Sequence, residues 1–460
     1  MASVSFAQLS DIARLEEDDV SSRATSYWNP EPLQARVVFL PRSTRDVSRI
    51  LKACHDADQT VVVQGGRTGC AAGADSRHSD IVISLERMNR IQKIDDVAMT
   101  VEVEAGVVLE TLQNAVAEHD LFLPLDLGAR GSCTIGGNIA TNAGGVNVIR
   151  YGMIRNLVLG LEAVLPDGRI VSSMQPMLKN NAGYDLKQLF IGTEGTLGVV
   201  TRAVLRLEPA VGDRATVLTA LPSFEAVSTL LRLSKARLGA GLTSFELMWG
   251  EYYAVVSEGL GIRPPTPTGR PYYALIEIEC AEARAGHDAL LALFEEGTEI
   301  GAIEDGALAQ SEKERLEIWR IRDDFEPILR KKPVYLYDVS MSVNAMDSYV
   351  AEVRARLATA FPDSELHVFG HIGDGNLHLF AHPGKIDVTQ HEAARSSVDR
   401  CVYEPLKPIE GSVSAEHGIG REKKPWLSVS RSATEIDVMK SLKRTFDPKN
   451  VLNPGVVFDL

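Results

Sequence analysis

The stretch PLDLGARGSCTIGGNIATNAGG, from Pro124 to Gly145, decides how the rest of the chain is interpreted. It contains six glycines interleaved with small polar residues, namely Ser132, Thr134, Asn138, Thr141 and Asn142. Because its side chains are so small, the backbone can approach a ligand closely, and its amides and hydroxyls can line a long polar cofactor. A tight turn would explain any single segment of this kind, so one glycine-rich segment alone does not predict a cofactor site.

Two further glycine-rich segments supply that support. QGGRTG, from Gln64 to Gly69, follows a strand predicted at Thr60–Val63, so its bare amides can surround a phosphate. GTEGTLG runs from Gly192 to Gly198. QGGRTG matches neither G-x-G-x-x-G nor the Gly-Lys-Ser/Thr phosphate loop, which excludes a Rossmann or nucleoside-triphosphatase interpretation. Three such segments within 135 residues favour a bound cofactor over three unrelated turns.

Strands and helices alternate on both sides of these segments. Ser43 is placed to cap a helix whose apolar residues recur every 3.6 positions. The segment Glu208–Asp213, with its proline and glycine, is the best domain boundary. Strands are predicted before it at Val37–Leu40, Ile81–Leu85 and Thr100–Val103, and beyond it at Ala215–Ala220, Tyr272–Cys280 and Val334–Val343, with a helix at Ser223–Leu238.

The composition limits the classes of partner and compartment. The 460 residues suffice for about two to four domains, and 48 basic against 62 acidic residues give a net charge of −14, which repels nucleic acid and anionic membranes. No apolar run approaches the roughly 20 residues of a transmembrane segment, and the acidic residues between Asp11 and Asp19 do not fit a signal peptide. Five scattered cysteines argue against a disulfide framework. We therefore expect a cytoplasmic protein, or a mitochondrial-matrix protein in a eukaryote.

Two histidines flank a turn signal in HVFGHIGDGNLHLF, from His367 to Phe380. Asp374-Gly375 favours a two-residue hairpin loop, which would pair His371 with His378 on one face at about 5 Å. Glu416, in the segment SAEHGIG, offers a carboxylate as a third ligand. Two histidines and a carboxylate suit Zn²⁺, Mn²⁺ or Fe²⁺ with open coordination positions. Geometry alone leaves this hypothesis balanced against ordinary cross-strand histidines and an unrelated surface glutamate.

A helix is predicted from Glu312 to Phe325 by the apolar stripe of Ile318, Ile321 and Phe325. Arg322 lies on the flank of this stripe, where a half-buried guanidinium favours a carboxylate that fits its bidentate fork. On spacing alone, a substrate carboxylate has no more weight than a snorkelling side chain or an ion pair with a nearby acid.

The three glycine segments resemble, in order and spacing, the flavin-binding segments of the FAD-linked oxidase family with the vanillyl-alcohol-oxidase fold. H-x-G-D-G-N-x-H and S-x-E-H-G-x-G resemble the metal and base signature of its D-2-hydroxyacid dehydrogenase branch. The resemblance implies a two-domain α+β fold, with an FAD-binding domain at 1–212 and a substrate-binding cap domain at 213–405. We expect an antiparallel sheet with helices on one face in the cap domain. Residues 406–460 are expected to pack back on the FAD domain and to supply Glu416 and His417.

The resemblance also assigns residues to the cofactor. The first loop, comprising Gly65, Gly66, Arg67, Thr68 and Gly69, would hold the FAD pyrophosphate, and Gly195 and Val200 would lie near the adenine. The other residues assigned to FAD are Pro124, Gly128, Ser132, Thr134, Gly137, Asn138, Thr141 and Asn453. Some relatives attach FAD through a histidine in the first loop. Since no histidine lies between Gln64 and Gly73, we expect non-covalent FAD.

The same resemblance assigns chemistry. His371, His378 and Glu416 would be the metal ligands, and the two histidines would contact the substrate through the metal. His417 would be the general base. Arg322, in the family's W-x-x-R pattern, would bind the substrate carboxylate. A metal bound by an α-hydroxyacid lowers the pKa of its hydroxyl, neutral His417 can accept the proton, and the Cα hydrogen leaves as hydride to the flavin. We expect zinc, with manganese or iron as alternatives.

Two positions depart from D-2-hydroxyglutarate enzymes, which typically carry a lysine at Leu336 and an asparagine at Phe380. Two apolar groups remove the partners that a distal carboxylate needs, so we expect D-lactate or a longer apolar D-2-hydroxyacid. One alternative is a D-2-hydroxyglutarate dehydrogenase whose distal carboxylate meets Arg421 or Lys332. Another is a non-catalytic flavin-binding subunit of a larger oxidase complex, against which the intact metal and base residues argue.

The sequence does not select an electron acceptor. It contains no haem motif, iron–sulfur cysteine spacing or nicotinamide fingerprint. The electrons must therefore pass to oxygen, a quinone, a cytochrome or an electron-transfer flavoprotein. A small 2-hydroxyacid is the expected substrate, no nucleic-acid partner is expected, and a homodimer is compatible with these features.

Overall fold

The computed structural model describes residues 6–16, 18–210 and 212–460. The chain divides into two compact units. The first comprises Met1–Gly145, Gly152–Ala210 and Glu416–Leu460, and the second comprises Val146–Tyr151 and Val211–Ala415. Val211, within the predicted boundary Glu208–Asp213, lies outside the described residues. The assignment of 1–212 to FAD, 213–405 to substrate and 406–460 to a covering segment stays a prediction.

The elements are numbered in chain order. The strands are β1 Arg14–Leu15, β2 Val37–Phe39, β3 Val61–Gln64, β4 Ile81–Ser84, β5 Ile91–Asp95, β6 Thr100–Glu104, β7 Leu121–Phe122, β8 Val158–Val164, β9 Ile170–Ser173, β10 Val199–Arg206, β11 Glu208–Pro209, β12 Asp213–Leu221, β13 Leu242–Trp249, β14 Tyr272–Cys280, β15 Asp305–Leu308, β16 Tyr335–Ser340, β17 Glu365–His371 and β18 Asn376–His382. The helices are α1 Asp18–Ser21, α2 Thr44–Asp56, α3 Leu109–Ala117, α4 Ile135–Thr141, α5 Val148–Tyr151, α6 Ile154–Leu157, α7 Phe224–Leu238, α8 Gly250–Leu260, α9 Ala283–Glu299, α10 Glu312–Asp323, α11 Glu326–Leu329, α12 Val343–Ala360, α13 His391–Tyr403, α14 Leu427–Ser430 and α15 Ala433–Phe446.

The first unit contains a four-stranded sheet, β1-β2-β4-β3, and a five-stranded antiparallel sheet, β5-β6-β10-β8-β9. β4 pairs in parallel with β2 and β3. Helix α2 begins as predicted, because the Ser43 hydroxyl accepts the Asp46 N–H at 3.2 Å. Its buried residues are Val47, Ile50, Leu51 and Cys54, which confirms the 3.6-residue period. β3 therefore lies in a sheet that packs against α2, and it leads directly into the first glycine segment.

The second unit is built on one antiparallel sheet of order β15-β12-β14-β13-β17-β18-β16. In β12 every residue from Ala215 to Leu221 is buried, a pattern typical of a strand covered on both faces. Gly286 of α9 faces Ala215 on one side, while Leu218 packs on the other side in a cluster with Tyr252 of α8 and Ile318 of α10. The prediction of helices on one face is therefore wrong, because the sheet has apolar side chains to bury on both faces.

Candidate active site

A cavity of about 280 Å³ in the first unit lies beside the end of β3. Its lining contains Gly65, Gly66 and Arg67 from the first glycine segment and Ser132 and Thr134 from the second. The remaining lining residues are Glu86, Asn89, Gly106, Val107, Val108 and Thr111. The structure thus brings two of the three predicted cofactor segments to one cavity.

Close packing explains why this loop needs glycine. A Cβ at Gly65 would lie 2.4 Å from the Thr134 hydroxyl oxygen, and one at Gly66 would lie 2.0 Å from the Ser132 carbonyl oxygen. The hydroxyl of Thr134 is buried and has no hydrogen-bond partner among the described residues. A buried hydroxyl at a cavity lined by bare amides is suited to a phosphate oxygen. The residues present therefore fit the diphosphate of a dinucleotide such as FAD.

The other predicted cofactor residues belong to the same unit. Gly137, Asn138 and Thr141 lie on α4, and the buried Asn138 amide donates to the Cys133 sulfur at 3.5 Å. Val200 is buried in the core of the unit, so its side chain is occupied by packing. The remaining assigned residues also lie in this unit, namely Thr68, Gly69, Pro124, Gly128, Gly195 and Asn453.

Asn453 joins β3 to the third glycine segment. Its side-chain oxygen accepts the Val63 N–H at 3.0 Å, and its amide donates to the Glu194 carbonyl at 2.8 Å. Gly195 has φ +69°, and a Cβ there would lie 2.8 Å from the Asn453 amide nitrogen. Asn453 therefore joins β3, the strand that leads into the first glycine segment, to the third glycine segment, a role that was not predicted for it.

A buried lysine that sequence reasoning missed stabilises the same region. The Lys443 ammonium donates to the Thr196 carbonyl at 2.9 Å, the Leu452 carbonyl at 2.7 Å and the Asp447 carboxylate at 2.6 Å. Lys443 and Asp447 are both almost fully buried, and burial lowers the pKa of Lys443 against the opposing effect of Asp447. The one sequence signal was their spacing of four residues near the end of a helix.

In the second unit the predicted histidine hairpin forms with a different register. β17 pairs with β18 so that Phe369, and not His371, lies opposite His378. The turn spans four residues, and the Asp374 and Gly375 N–H groups both donate to the His371 carbonyl. The predicted two-residue loop is therefore wrong. A slip of two residues keeps each side chain on its face, and the two histidine rings lie 5.5 Å apart between centroids.

Glu246 lies beside these histidines, and it too was missed. It is directly opposite His371 in the β13–β17 pairing, and its Oε1 lies 2.8 Å from His371 Nδ1. Its Oε2 accepts the Nε–H of Arg322 at 2.8 Å and also lies 2.7 Å from Nη2. Arg322 further donates to Asp323 at 3.0 Å. An acid within the apolar strand LTSFELMW was the available signal, because buried carboxylates are rare unless they are paired.

The charges in this cluster stabilise one another. Glu246 is 1% exposed, and its burial opposes ionisation, yet the contacts with Arg322 and then with His371 outweigh that effect and lower the pKa of Glu246. Burial also opposes the charge of Arg322, while Glu246 and Asp323 raise its pKa overall. The Arg322 guanidinium lies over the Phe369 ring at 4.9 Å. Arg322, which the sequence predicted to be half-buried on the flank of the apolar stripe, thus forms a buried ion pair with Glu246 in this structure.

Asp338 of β16 anchors the segment that carries the third proposed ligand. It is opposite His378 in the sheet and accepts the Ala415 N–H at 3.1 Å and the Asn376 amide at 2.8 Å. Glu416 is the next residue along the chain. Within this unit, His371 and His378 bring two imidazoles together, with their ring centroids 5.5 Å apart. Two imidazoles and a carboxylate are a suitable donor set for a divalent transition metal, and Glu416 stays the predicted source of the carboxylate.

His417 follows on a segment that Glu194 holds in place. The partly buried Glu194 carboxylate accepts the N–H groups of Ile419 and Gly420 at 2.7 and 2.8 Å. Burial raises the pKa of Glu194 despite these two hydrogen bonds. Gly418 has φ +77°, and a Cβ there would lie 2.8 Å from the Glu194 carboxylate carbon. Glu194, within the third glycine segment, therefore fixes the backbone immediately after His417.

Comparison with known proteins identifies the family. A family model described as "FAD linked oxidases, C-terminal domain" matches residues 212–457, and one described as "FAD binding domain" matches residues 35–173. The chain belongs to the FAD-linked oxidase family. The FAD-binding match covers the first two glycine segments of this oxidase, which agrees with the cavity that they line.

Three relatives show how widely the likeness extends. D-2-hydroxyglutarate dehydrogenase of Xanthomonas citri pv. viticola is 39% identical over 95% of this chain and 91% of its own length. The mitochondrial D-2-hydroxyglutarate dehydrogenase of Bos taurus is 40% identical over 91% and 76%. A mitochondrial protein of Schizosaccharomyces pombe, provisionally named D-lactate dehydrogenase, is 36% identical over 95% and 84%. This FAD-linked oxidase is thus a FAD-dependent dehydrogenase, and the resemblance to the D-2-hydroxyacid dehydrogenase branch is confirmed.

The fold is shared with more distant proteins. The structure of p-cresol methylhydroxylase with substrate bound aligns with a TM-score of 0.76 over 97% of this chain and 94% of that chain, at 12% identity. This likeness confirms the predicted α+β fold of the vanillyl-alcohol-oxidase type. All five cysteines are free, as their scatter predicted. Within the described part of the chain, no helix is both long and apolar enough to cross a bilayer.

Proposed function

We propose that this FAD-dependent dehydrogenase oxidises a D-2-hydroxyacid to the 2-oxoacid with the help of a divalent metal, and that its substrate is D-lactate or a longer apolar D-2-hydroxyacid. The observation that carries the reaction class is the pair of imidazoles of His371 and His378, whose ring centroids lie 5.5 Å apart, with Glu416 proposed as the third ligand. It occurs in a chain whose FAD-binding segments match the family. The pairing of Leu336 with Phe380 supports the choice of substrate.

His371, His378 and Glu416 would hold the metal, with zinc favoured and manganese or iron as alternatives. When bound, such an ion lowers the pKa of a coordinated hydroxyl. Bound FAD supplies the two-electron acceptor. His417 would accept the hydroxyl proton, since imidazole is the side chain best suited to general-base chemistry near neutral pH.

Arg322 is proposed to bind the carboxylate of the substrate. Its Nε and Nη2 atoms are engaged by Glu246, while Nη1 donates to Asp323, whose side chain is 54% exposed. A substrate carboxylate would replace Asp323 at Nη1 and leave the buried pair with Glu246 intact. The guanidinium is held rigidly, so little side-chain entropy is lost when the substrate binds.

Leu336 and Phe380 are proposed to contact the side chain of the substrate. They are cross-strand partners two residues from the Asp338–His378 pair, so they share its face of the sheet. Phe380 also packs against Phe325, with the ring centroids 5.1 Å apart. A distal carboxylate placed against these groups would lose hydration without gaining a partner, whereas an alkyl group would gain apolar contact.

D-2-hydroxyglutarate is the second candidate substrate, and the names of the relatives from Xanthomonas citri and Bos taurus favour it. The residues considered for its distal carboxylate are Arg421, which donates to the Pro454 carbonyl at 2.8 Å, and Lys332, which is exposed. Burial lowers the pKa of Arg421. Such a desolvated cation would favour a carboxylate, which keeps this alternative specific enough to test.

Two measurements test the proposal. Anaerobic mixing with D- and L-hydroxyacids should bleach the flavin only with a D-isomer, and a chelator should abolish the bleaching. Steady-state kinetics should give a higher kcat/KM for D-lactate or D-2-hydroxyisovalerate than for D-2-hydroxyglutarate. The reverse order would make D-2-hydroxyglutarate the substrate, and no bleaching with any hydroxyacid would favour a non-catalytic flavin-binding subunit.

Non-covalent FAD is part of the same proposal, since no histidine occurs in the first glycine loop. Release of the flavin by acid or detergent into the soluble fraction would support it, and flavin retained on the denatured chain would contradict it. The electron acceptor, a homodimeric assembly and the cytoplasmic or mitochondrial location stay predictions.

A further inference from the structure

Glu246 is the one acidic residue in the strand β13, whose residues from Leu242 to Trp249 are all buried. Burying a carboxylate costs several kcal/mol unless charges and hydrogen bonds compensate it. Neither oxygen of Glu246 is left without a partner, since Oε1 contacts His371 and Oε2 contacts Arg322. The sheet register fixes the first of these contacts, because Glu246 and His371 are directly opposite in neighbouring strands.

This arrangement determines which nitrogen of His371 carries the proton. An ionised carboxylate only accepts hydrogen bonds, so at 2.8 Å from Glu246 Oε1 the Nδ1 atom of His371 must be the donor. Arg322 Nη2 lies 3.2 Å from Nδ1 and 3.0 Å from Nε2, so it does not distinguish the two nitrogens, and the contact with Glu246 alone assigns the proton. A neutral ring is thus held in the Nδ1–H tautomer, with Nε2 as the unprotonated nitrogen.

We infer that Glu246 is a positioning residue for the metal centre: it holds His371 in the tautomer and orientation in which Nε2 binds the ion, and it keeps Arg322 charged and fixed beside it. The inference rests on the proposed metal-dependent function and adds a residue to it. Carboxylates that accept the second ring N–H of a ligating histidine typically strengthen metal binding 10- to 100-fold.

A matched control lies on the next strand of the same sheet. Glu277 of β14 is also buried, at 3% exposure, and it also receives an arginine of α10, with Arg315 Nη1 at 3.0 Å. Its other partners are the Trp319 indole at 2.6 Å and the Thr216 hydroxyl at 2.7 Å. Glu277 therefore reproduces the burial and the ion pair of Glu246 without a histidine.

The experiment measures Zn²⁺ affinity of the flavin-loaded protein after metal removal, by competition with a chromophoric chelator. Glu246→Gln should weaken Zn²⁺ binding about 10- to 100-fold, while Glu277→Gln should change it less than threefold, even if both variants lose similar stability. Equal affinities in Glu246→Gln and the parent would overturn the inference. So would equal losses in both variants, because the effect would then be structural.

A measurement on the parent protein keeps the inference testable if Glu246→Gln does not fold. Nitrogen-15 NMR of the metal-free, histidine-labelled flavoprotein, with His371 assigned by its loss in His371→Gln, should show Nδ1 protonated and Nε2 unprotonated. The opposite tautomer would overturn the inference. A parent that shows the expected tautomer but binds no Zn²⁺ would instead refute the proposed metal dependence, and the role of Glu246 toward the metal would fall with it.

Discussion

Acid should destabilise the second unit through His382, a histidine outside the proposed site. His382 ends β18 opposite Glu365 and is 2% exposed. Its ring lies edge to face with that of His367, 5.6 Å away. Neither ring nitrogen makes a hydrogen bond of normal geometry to a described residue, although a backbone group of Lys331 lies close enough to favour the charged ring slightly. Burial, followed by repulsion from His367, lowers the pKa of His382 to about 4, while Glu365 opposes the shift.

The sign and size of the effect follow from this shift. The unfolded chain binds a proton at His382 below pH 6.5, whereas the folded chain does so only near pH 4. Between these values the unfolded state holds more protons, so the free energy of unfolding falls as the pH falls. The loss is about 2 kcal/mol between pH 7 and pH 5 and approaches about 3 kcal/mol near pH 4. Burial also lowers the pKa of His367, which acts in the same direction.

The perturbation is His382→Leu, which removes the titrating ring at similar volume. Urea unfolding with excess FAD, followed by tryptophan fluorescence, should show that the variant loses about 2 kcal/mol less than the parent between pH 7 and pH 5. His391→Gln, at an exposed histidine of the same unit, should behave as the parent does. If His382→Leu shows the same pH dependence as the parent, the buried neutral ring is not a source of acid sensitivity and the reasoning fails.

Three further changes test other parts of the molecule. Leu336→Lys should raise kcat/KM for D-2-hydroxyglutarate relative to D-lactate about tenfold, because a charge-assisted hydrogen bond contributes about 1.5 kcal/mol; Leu336→Met should leave the ratio unchanged. Lys443→Met leaves the Asp447 carboxylate buried without its cation and should lower the free energy of unfolding by about 3–5 kcal/mol in urea, and a variant as stable as the parent would contradict the buried-pair interpretation. His417→Ala should keep FAD and metal but lose flavin reduction by the substrate, whereas His378→Ala should lose the metal in elemental analysis; reduction of His417→Ala at the parent rate would refute the base assignment.

Local patterns predicted much of the framework. Ser43 and the apolar residues after it predicted α2, because capping and helical periodicity depend on neighbours in sequence. The glycine segments predicted a cofactor cavity for a similar reason, since bare backbone is visible in the sequence itself. The histidine hairpin was predicted on the correct face but two residues out of register. The length of the turn, which Asp374-Gly375 does not determine alone, sets that register.

The missed residues depend on contacts between distant parts of the chain. Glu246 meets His371 across 125 positions, and Lys443 meets Thr196 across 247. No local period or motif encodes such pairs. What the sequence does show is a charged residue where apolar ones are expected, as in β13, and that signal predicts a buried partner without naming it. The same reasoning applies to the carboxylate partner of Arg322. The spacing gave equal weight to a substrate carboxylate and to an acidic side chain of the protein, and in the structure Glu246 contacts the guanidinium.

The pairing of Arg322 with Glu246 changes how the net charge of −14 bears on an anionic substrate. Arg322 alone would attract a carboxylate, but Glu246 and Asp323 both contact its guanidinium, so the formal charge of the three side chains is negative. Glu416, the proposed third ligand of the metal, adds another carboxylate. A substrate anion would therefore be repelled by these side chains taken together, because their summed formal charge is negative. A divalent cation on the two histidines and Glu416 would bring the formal charge of the set to neutral. The metal would then be required for the substrate to bind, in addition to lowering the pKa of the substrate hydroxyl. Arg322 would orient the substrate carboxylate once the metal had offset the electrostatic repulsion.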